Sequence, residues 1–173
     1  MVEVEIDSIR VSLMSQHRVV ILKEVNSERF LSIWIGPYEA EAITVSLQEL
    51  EVSRPLTHDL LRNLLVALGA EVKQVNITEL KDDVFHANIL ISINGRNLEI
   101  DSRPSDALAL AVRVHVPVFV DDAVMDEAAT EPEKAVEIDD IPDEDTEERL
   151  EVFKDFFESL DLEDSDTEEG DED

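Results

Sequence analysis

Apolar and polar residues alternate along the first part of the chain. Val2, Val4 and Ile6 are separated by acidic residues, and a period of two is typical of a β-strand with one buried face. Polar turn residues follow each apolar run, so the chain is expected to begin with several short strands. Three further strands are predicted over residues 11–14, 19–22 and 30–35.

Three later segments have the apolar spacing of helices. The first is predicted over residues 37–50, because Pro37 suits a first helical turn and apolar residues then recur at helical intervals. Thr57 is the predicted N-cap of the second helix. The leucines of that helix, at positions 60, 61, 64, 65 and 68, predict a broad apolar face. The third starts within residues 102–105 and runs to about Val114. Because it consists almost wholly of Ala, Leu and Val, we expect it to be buried on most sides.

A hairpin separates the second and third helices. Strands are predicted over residues 72–80 and 84–93, and Asn94-Gly95 favours a tight type I′ turn. Residues 97–101 should therefore return antiparallel. Strands, a hairpin and helices without regular β-α-β alternation predict an α+β domain with a mixed or antiparallel sheet and three main helices. A short strand at 117–120 and a small helix at 121–129 complete it.

Acidic residues are concentrated at the C-terminal end. Of the net charge of −29, residues 121–173 contribute −23, from 26 acidic and 3 basic residues. This change in composition predicts a folded domain followed by an acidic tail. The tail contains apolar residues at helical spacing, which predict one amphipathic helix. The predicted divisions are a domain over 1–130, a linker over 131–145, a helix over 146–162 and a disordered acidic terminus over 163–173.

The sequence excludes several classes of protein. It contains no cysteine, so it has no disulfide, no thiol nucleophile and no cysteine-based zinc site. No basic leader precedes an apolar run, and no apolar stretch approaches the roughly 20 residues of a membrane span. These observations predict a cytoplasmic protein with no membrane partner. No nucleotide-binding loop, HExxH or GxSxG motif is present.

Two polar segments of similar composition stand at the predicted starts of the second and third helices. Residues 53–59 and 102–106 both begin with Ser-Arg-Pro and continue with carboxylates. Helix starts present free N–H groups and the positive end of the dipole, which favour anions. We expect His58, Asp59, Asp101, Arg103 and Asp106 to converge at one cleft, with side chains of the two segments within about 10 Å of each other. Helix capping explains each segment alone and does not require them to meet.

Several side chains in and near these segments could act in catalysis. His58 could act as a general base or hold a phosphate, and Asp59 could orient a partner or bind a metal. Glu99 and Asp101 lie one strand repeat apart, about 6.5–7 Å. With Asp106 they could hold a divalent cation such as Mg²⁺ or Mn²⁺. A solvated strand face running into a capped helix explains the same residues.

Five segments of the chain have a recognisable sequence and follow one another in a characteristic order: Ile33–Ile43, Arg54–Leu60, Phe85–Ala87, Ile100–Ala111 and Pro117–Val120. Through these segments the chain resembles the bifunctional nuclease family over about residues 1–130. The resemblance implies an α+β domain, nuclease activity toward DNA and RNA, and self-association, commonly as dimers.

Two functional hypotheses remain open. The first is a nuclease that hydrolyses phosphodiester bonds with water, in which Arg103 clamps the phosphate. The second is a non-catalytic module that binds an anion or a protein. Residues 1–120 lack a basic cluster, which favours the second. For the nuclease, the candidate catalytic residues are His58, Asp59, Arg103 and Asp106, the substrate-binding residues Arg54, Arg103 and Ser105, and the metal ligands Glu99 and Asp101.

Two predictions concern apolar residues. Strand 84–93 and helix 107–114 offer more apolar surface than one small core needs, which predicts a homo-oligomer. Trp34 and Phe30 are predicted to be core residues rather than a platform on which nucleic-acid bases stack.

Overall fold

The computed structural model describes residues 1–11 and 18–131. The predicted helix 146–162 and terminus 163–173 lie outside the described residues, as does the predicted linker apart from Glu131. None of the helices in the described part is long and apolar enough to cross a membrane.

The described helices are α1 (Pro37–Leu47), α2 (Thr57–Ala67), α3 (Pro104–Val114) and α4 (Asp122–Ala128). The strands are β1 (Val2–Val11), β2 (Arg18–Glu24), β3 (Phe30–Ile35), β4 (Ala70–Lys81), β5 (Val84–Ile93), β6 (Arg96–Ser102), β7 (Val118–Val120) and β8 (Ala129–Thr130).

The described strands form one mixed sheet in the order β6-β5-β4-β7-β1-β2-β3-β8. Only the β4–β7 pair among them is parallel; the other neighbours are antiparallel. Asn94 and Gly95 both have positive φ, 51° and 74°, as a type I′ turn requires. The predicted hairpin and the predicted α+β class are therefore confirmed.

Helix α3 lies at the centre of the domain. It packs against α1 and α2 on its sides and against β4 and β5 of the sheet. Leu108 and Leu110 are fully buried, as are the alanines between and beside them. Burying each leucine contributes about 1.5–3 kcal/mol. The prediction of a helix buried on most sides is confirmed, and this packing fixes the position of the α3 N-terminus.

Helix α1 is shorter than predicted. It ends at Leu47 rather than residue 50, because Glu49 takes a left-handed conformation with φ 51°. Ala40 and Ile43 face the core as predicted, but Leu47 and Leu50 are about half exposed. The predicted apolar stripe is therefore correct only for its first half.

Helix α2 differs from the prediction at its start and along one side. Its N-cap is Leu56 rather than Thr57, because the Asp59 carboxylate accepts the Leu56 N–H at 2.8 Å and caps the helix from its third residue. The predicted broad apolar face is narrower than expected. Leu61 and Leu65 pack against the core, whereas the leucines at 60, 64 and 68 are more than half exposed.

Candidate functional site

The N-termini of α2 and α3 meet at one cleft. His58 Nε2 lies 3.2 Å from Asp106 Oδ1, well within the predicted 10 Å. The cleft has a volume of about 580 Å³ and is also lined by the first turn of α1, including Tyr38 and Glu39. Three helix starts therefore surround it. The prediction that side chains of the two Ser-Arg-Pro segments approach within 10 Å is confirmed. Asp59 and Asp101, which were predicted to converge with them, do not line the cleft.

Arg103 forms two ion pairs at the mouth of this cleft. Its Nε donates to Asp106 Oδ2 at 2.7 Å, and its Nη2 donates to Glu39 Oε1 at 2.7 Å. Hydrogen bonds to Asp106 and then to Glu39 raise the pKa of Arg103 above its ordinary value. No partner for Arg103 Nη1 is found within residues 1–11 and 18–131. The side chain is two-thirds exposed, so this nitrogen can reach a ligand.

Asp106 is held in its ionised form. Burial raises the pKa of Asp106, but hydrogen bonds from Arg103 and then His58 outweigh burial and bring the pKa below its ordinary value. Each carboxylate oxygen has its own partner, since Oδ1 contacts His58 and Oδ2 contacts Arg103. Asp106 therefore links the ring of His58 to the guanidinium of Arg103.

Glu39 belongs to the site although the sequence analysis did not select it. An acidic residue in a first helical turn is expected from the helix dipole alone, so its sequence context looks ordinary. Its side chain is mostly buried and folds back over Gly36, where a β-carbon would overlap Glu39 Oε2. The glycine immediately before Pro37 was the available signal, because a β-carbon there would displace this carboxylate from its observed position.

Asp59 is turned away from the cleft. Its Oδ1 accepts from Arg113 Nε at 2.6 Å, and its Oδ2 accepts the Leu56 N–H. Burial raises the pKa of Asp59, but the Leu56 and Arg113 hydrogen bonds outweigh it and lower the pKa. The Arg113 side chain is 4% exposed and also donates to the Ala109 carbonyl at 2.7 Å. Asp59 thus anchors α2 to α3, a placement that does not support its predicted role in catalysis or metal binding.

The other predicted substrate-binding residues lie apart from His58. Arg54 is exposed and does not line the cleft. Ser105 is buried and lines a second cavity of about 260 Å³, which also contains Arg103 and Trp34. Trp34 is 63% exposed, so its predicted place in the core is wrong. Residues 31, 33 and 35 of β3 take the buried face, and strand alternation turns residue 34 outward.

The predicted metal ligands do not form a metal centre. Glu99 accepts a hydrogen bond from Asn88 Nδ2 at 2.9 Å on β5, and Asp101 stands opposite Asn88 on the exposed edge strand β6. Asp106 is instead paired with His58 and Arg103. Among the residues that the structure describes, no group of three or more histidine and carboxylate side chains is arranged to hold a metal ion.

Comparison with known proteins places the chain in a family. Residues 20–133 match the family model described as the bifunctional nuclease domain. An uncharacterized protein of Mycobacterium tuberculosis is 40% identical over 91% of this chain and 94% of its own length. Bifunctional nuclease 2 of Oryza sativa subsp. japonica is 28% identical over 61% of this chain, and Bifunctional nuclease 1 of Arabidopsis thaliana is 26% identical over 60%. Each match covers 33% of the plant protein. The chain belongs to the bifunctional nuclease domain family.

Proposed function

We propose that this protein is a nuclease that hydrolyses phosphodiester bonds in DNA, RNA or both. The observation that carries the proposal is the cluster of His58, Asp106 and Arg103 in a cleft at three helix starts. It combines a histidine, a carboxylate that orients the histidine ring and an arginine whose Nη1 has no partner among the described residues. Membership of the family and the nuclease names of the plant relatives support the same conclusion.

His58 is the proposed general base. The ionised Asp106 can only accept a hydrogen bond at Oδ1, so we assign the ring proton to His58 Nε2 and the lone pair to Nδ1. Nδ1 takes a proton from water as the water oxygen bonds to phosphorus. The bond from phosphorus to the leaving oxygen breaks, and the proton on His58 passes to that oxygen.

Arg103 is the proposed phosphate contact. Its Nε and Nη2 are held by Asp106 and Glu39, which fixes the guanidinium plane before a ligand arrives. Nη1 then faces the phosphoryl oxygens, where negative charge develops during the reaction. Mg²⁺ or Mn²⁺ as a cofactor stays a prediction, and no step above depends on it.

A non-catalytic module that binds an anion or a protein is the second candidate. One observation favours it: among the described residues, Arg103 is the only lysine or arginine that lines the His58 cleft. That arginine already has two carboxylate partners. Nucleic-acid affinity rests mainly on cations that neutralise phosphates, so weak binding without turnover would support this alternative.

A cleavage assay with matched histidine variants separates the two candidates. The full chain is incubated with labelled single-stranded DNA or RNA, with Mg²⁺, with Mn²⁺ and with a chelator. His58→Gln should lower the rate at least about a hundredfold, since a general base contributes that much. His86→Gln is the control, because His86 is exposed on β5 outside the cleft. Equal rates for the two variants would remove the proposed base.

We also propose that the protein self-associates through β6. Strand 84–93 and helix 107–114, from which the sequence predicted self-association, are instead packed inside the domain. Their residues Leu108, Leu110, Ile89 and Ile91 are buried in its own core. β6 instead ends the sheet, and its Leu98 and Ile100 are nearly half exposed. An uncovered apolar edge strand is a template for pairing with a second copy. Light scattering should give a dimer mass for the wild type and a monomer mass for Leu98→Lys; a wild-type monomer at micromolar concentration would contradict this.

A further inference from the structure

A second, smaller cavity adjoins the cleft and shares Arg103 with it. Its volume is about 260 Å³, and its walls come from the end of β3, the β4–β5 turn and the start of α3. Trp34 and Phe85 supply aromatic rings, and Ser105 supplies a buried hydroxyl group. The lining is therefore mostly apolar with a few polar groups, the usual character of a small-ligand pocket.

We propose that this cavity is a nucleobase subsite, in which Trp34 stacks on the base of the nucleotide whose phosphate contacts Arg103. The inference rests on the proposed function, because it assigns a substrate group to a cavity next to the proposed catalytic cleft. Arg103 lines both cavities, and a phosphate and its base are separated by a single sugar. A phosphate at Arg103 therefore leaves its base within reach of Trp34.

Size and charge favour a base over other occupants. Pockets for whole drug-sized ligands measure roughly 300–1,000 Å³, so about 260 Å³ suits a single ring system. An exposed tryptophan beside an arginine is the combination that binds single strands, since rings stack on bases and the cation contacts the backbone. The Asp83 carboxylate, which also lines the cavity, disfavours a second anion there. The same carboxylate can accept hydrogen bonds from the N–H groups of a neutral base.

The subsite specifies the class of substrate. A base that enters the cavity must leave its helical stack, which costs a few kilocalories per mole in a duplex and less in a single strand. The protein should therefore act on unpaired nucleotides in single strands, loops or ends.

The chain's single tryptophan reports directly on the subsite. Adenosine 5′-monophosphate, ribose 5-phosphate and inorganic phosphate are titrated into the full-length protein while Trp34 fluorescence is measured. The nucleotide should quench the emission to saturation, whereas ribose 5-phosphate and phosphate should not. Equal quenching by all three, or none by the nucleotide, would overturn the proposal.

Calorimetry on variants tests the stacking itself. Trp34→Leu should weaken binding of a single-stranded oligonucleotide about tenfold, in line with the loss of one stacked base, and leave duplex binding unchanged. Trp34→Phe keeps an aromatic ring and should restore most of the affinity. Val66→Ser is the matched control, since Val66 is similarly exposed on α2 outside both cavities. Equal affinity of Trp34→Leu and Val66→Ser would overturn the proposal.

The outcomes separate the subsite from the proposed nuclease activity. Nucleotide-specific quenching without cleavage of any nucleic acid would retain the subsite and refute hydrolysis. Cleavage with unchanged Trp34 emission would retain hydrolysis and refute the subsite. Circular dichroism of each variant shows whether the fold is intact, and Trp34→Phe keeps the test decisive if Trp34→Leu is unstable.

Discussion

The same tripeptide, Ser-Arg-Pro, precedes α2 and α3, yet its two arginines have different surroundings. Arg103 is the N-cap of α3, pairs with two carboxylates and lines the cleft. Arg54 is exposed and stands two residues before the α2 N-cap, Leu56. Pro104 is the first residue of α3, whereas Pro55 lies outside α2. The role of the motif therefore depends on its register with the helix start, not on its composition.

The aspartates of the two segments make the same point. Asp59 and Asp106 are each the third residue of their helix. Asp59 caps its own helix and pairs with Arg113, so it connects α2 to α3. Asp106 instead contacts His58 and Arg103 across the cleft. Apolar packing fixes α3, whereas α2, whose only buried residue is His58, depends on this polar anchor.

Removing the anchor should have the largest effect. Arg113→Ala leaves Asp59 without its charged partner in a mostly buried position, and breaking such a pair costs about 3–5 kcal/mol. The free energy of unfolding from urea titrations should fall by about 3 kcal/mol. This is the lower end of that range, because Asp59 is partly exposed. Arg62→Ala, on the exposed side of α2, should change it by less than about 0.5 kcal/mol. Similar losses in both variants would show that the pair does not hold α2.

Replacing each of the two arginines should give clearly different rates of nucleic-acid cleavage. Arg103→Ala should lower the rate of nucleic-acid cleavage about a hundredfold, the usual effect of removing one donor to the developing charge. Arg54→Ala, with the same tripeptide around it, should change the rate less than about threefold, because a lone exposed cation contributes little. Rates are measured under single-turnover conditions. A larger effect at Arg54 would reverse the comparison.

Part of this arrangement could be predicted from the sequence. The hairpin and the buried α3 followed from local patterns, because turn chemistry and helical spacing are local properties. The approach of the two segments is a long-range contact, and it was predicted instead from their shared tripeptide and from the preference of helix starts for anions. The partner of Asp59 could not be predicted, since Arg113 lies 54 residues away. Glu39 was missed because a first-turn acid is ordinary, and its role depends on packing against Gly36 and Arg103.

The exposed side of α2 could not be predicted either. Its leucines recur over so much of the helix surface that they do not show which face is covered. Only the position of α3 and β4 determines that Leu61 and Leu65 pack against the core while Leu60 and Leu64 stay exposed. The prediction for Trp34 was wrong for a different reason. Its large apolar ring suggested burial, but strand alternation places it on the exposed face of β3.

Lowering the pH should reduce the stability of the protein through Asp59 more than through an exposed aspartate. The pKa of Asp59 is lower in the folded protein than its ordinary value of 3.8. Its stabilising contribution is therefore complete above about pH 4 and is lost as pH falls through the lowered folded pKa. Asp59→Asn should be less stable at pH 7 and should lose less stability between pH 5 and pH 3 than the wild type. Asp82→Asn, in the exposed turn between β4 and β5, should follow the wild-type curve in urea titrations at each pH.

The two prolines give the smallest and most direct test of register. Pro104 is buried at the first position of α3, where its fixed φ suits the helix start and its ring packs in the core. Pro55 is exposed and precedes the α2 N-cap, so replacing it removes only restriction of the unfolded chain. Pro104→Ala should lower the free energy of unfolding by about 1–2 kcal/mol, because it loses both that restriction and buried methylene groups. Pro55→Ala should cost roughly 0.5 kcal/mol. Equal losses of unfolding free energy in the two variants would mean that the position of the proline relative to the helix start does not distinguish the two segments. The different surroundings of Arg54 and Arg103 would then have to come from Glu39 and Asp106 alone.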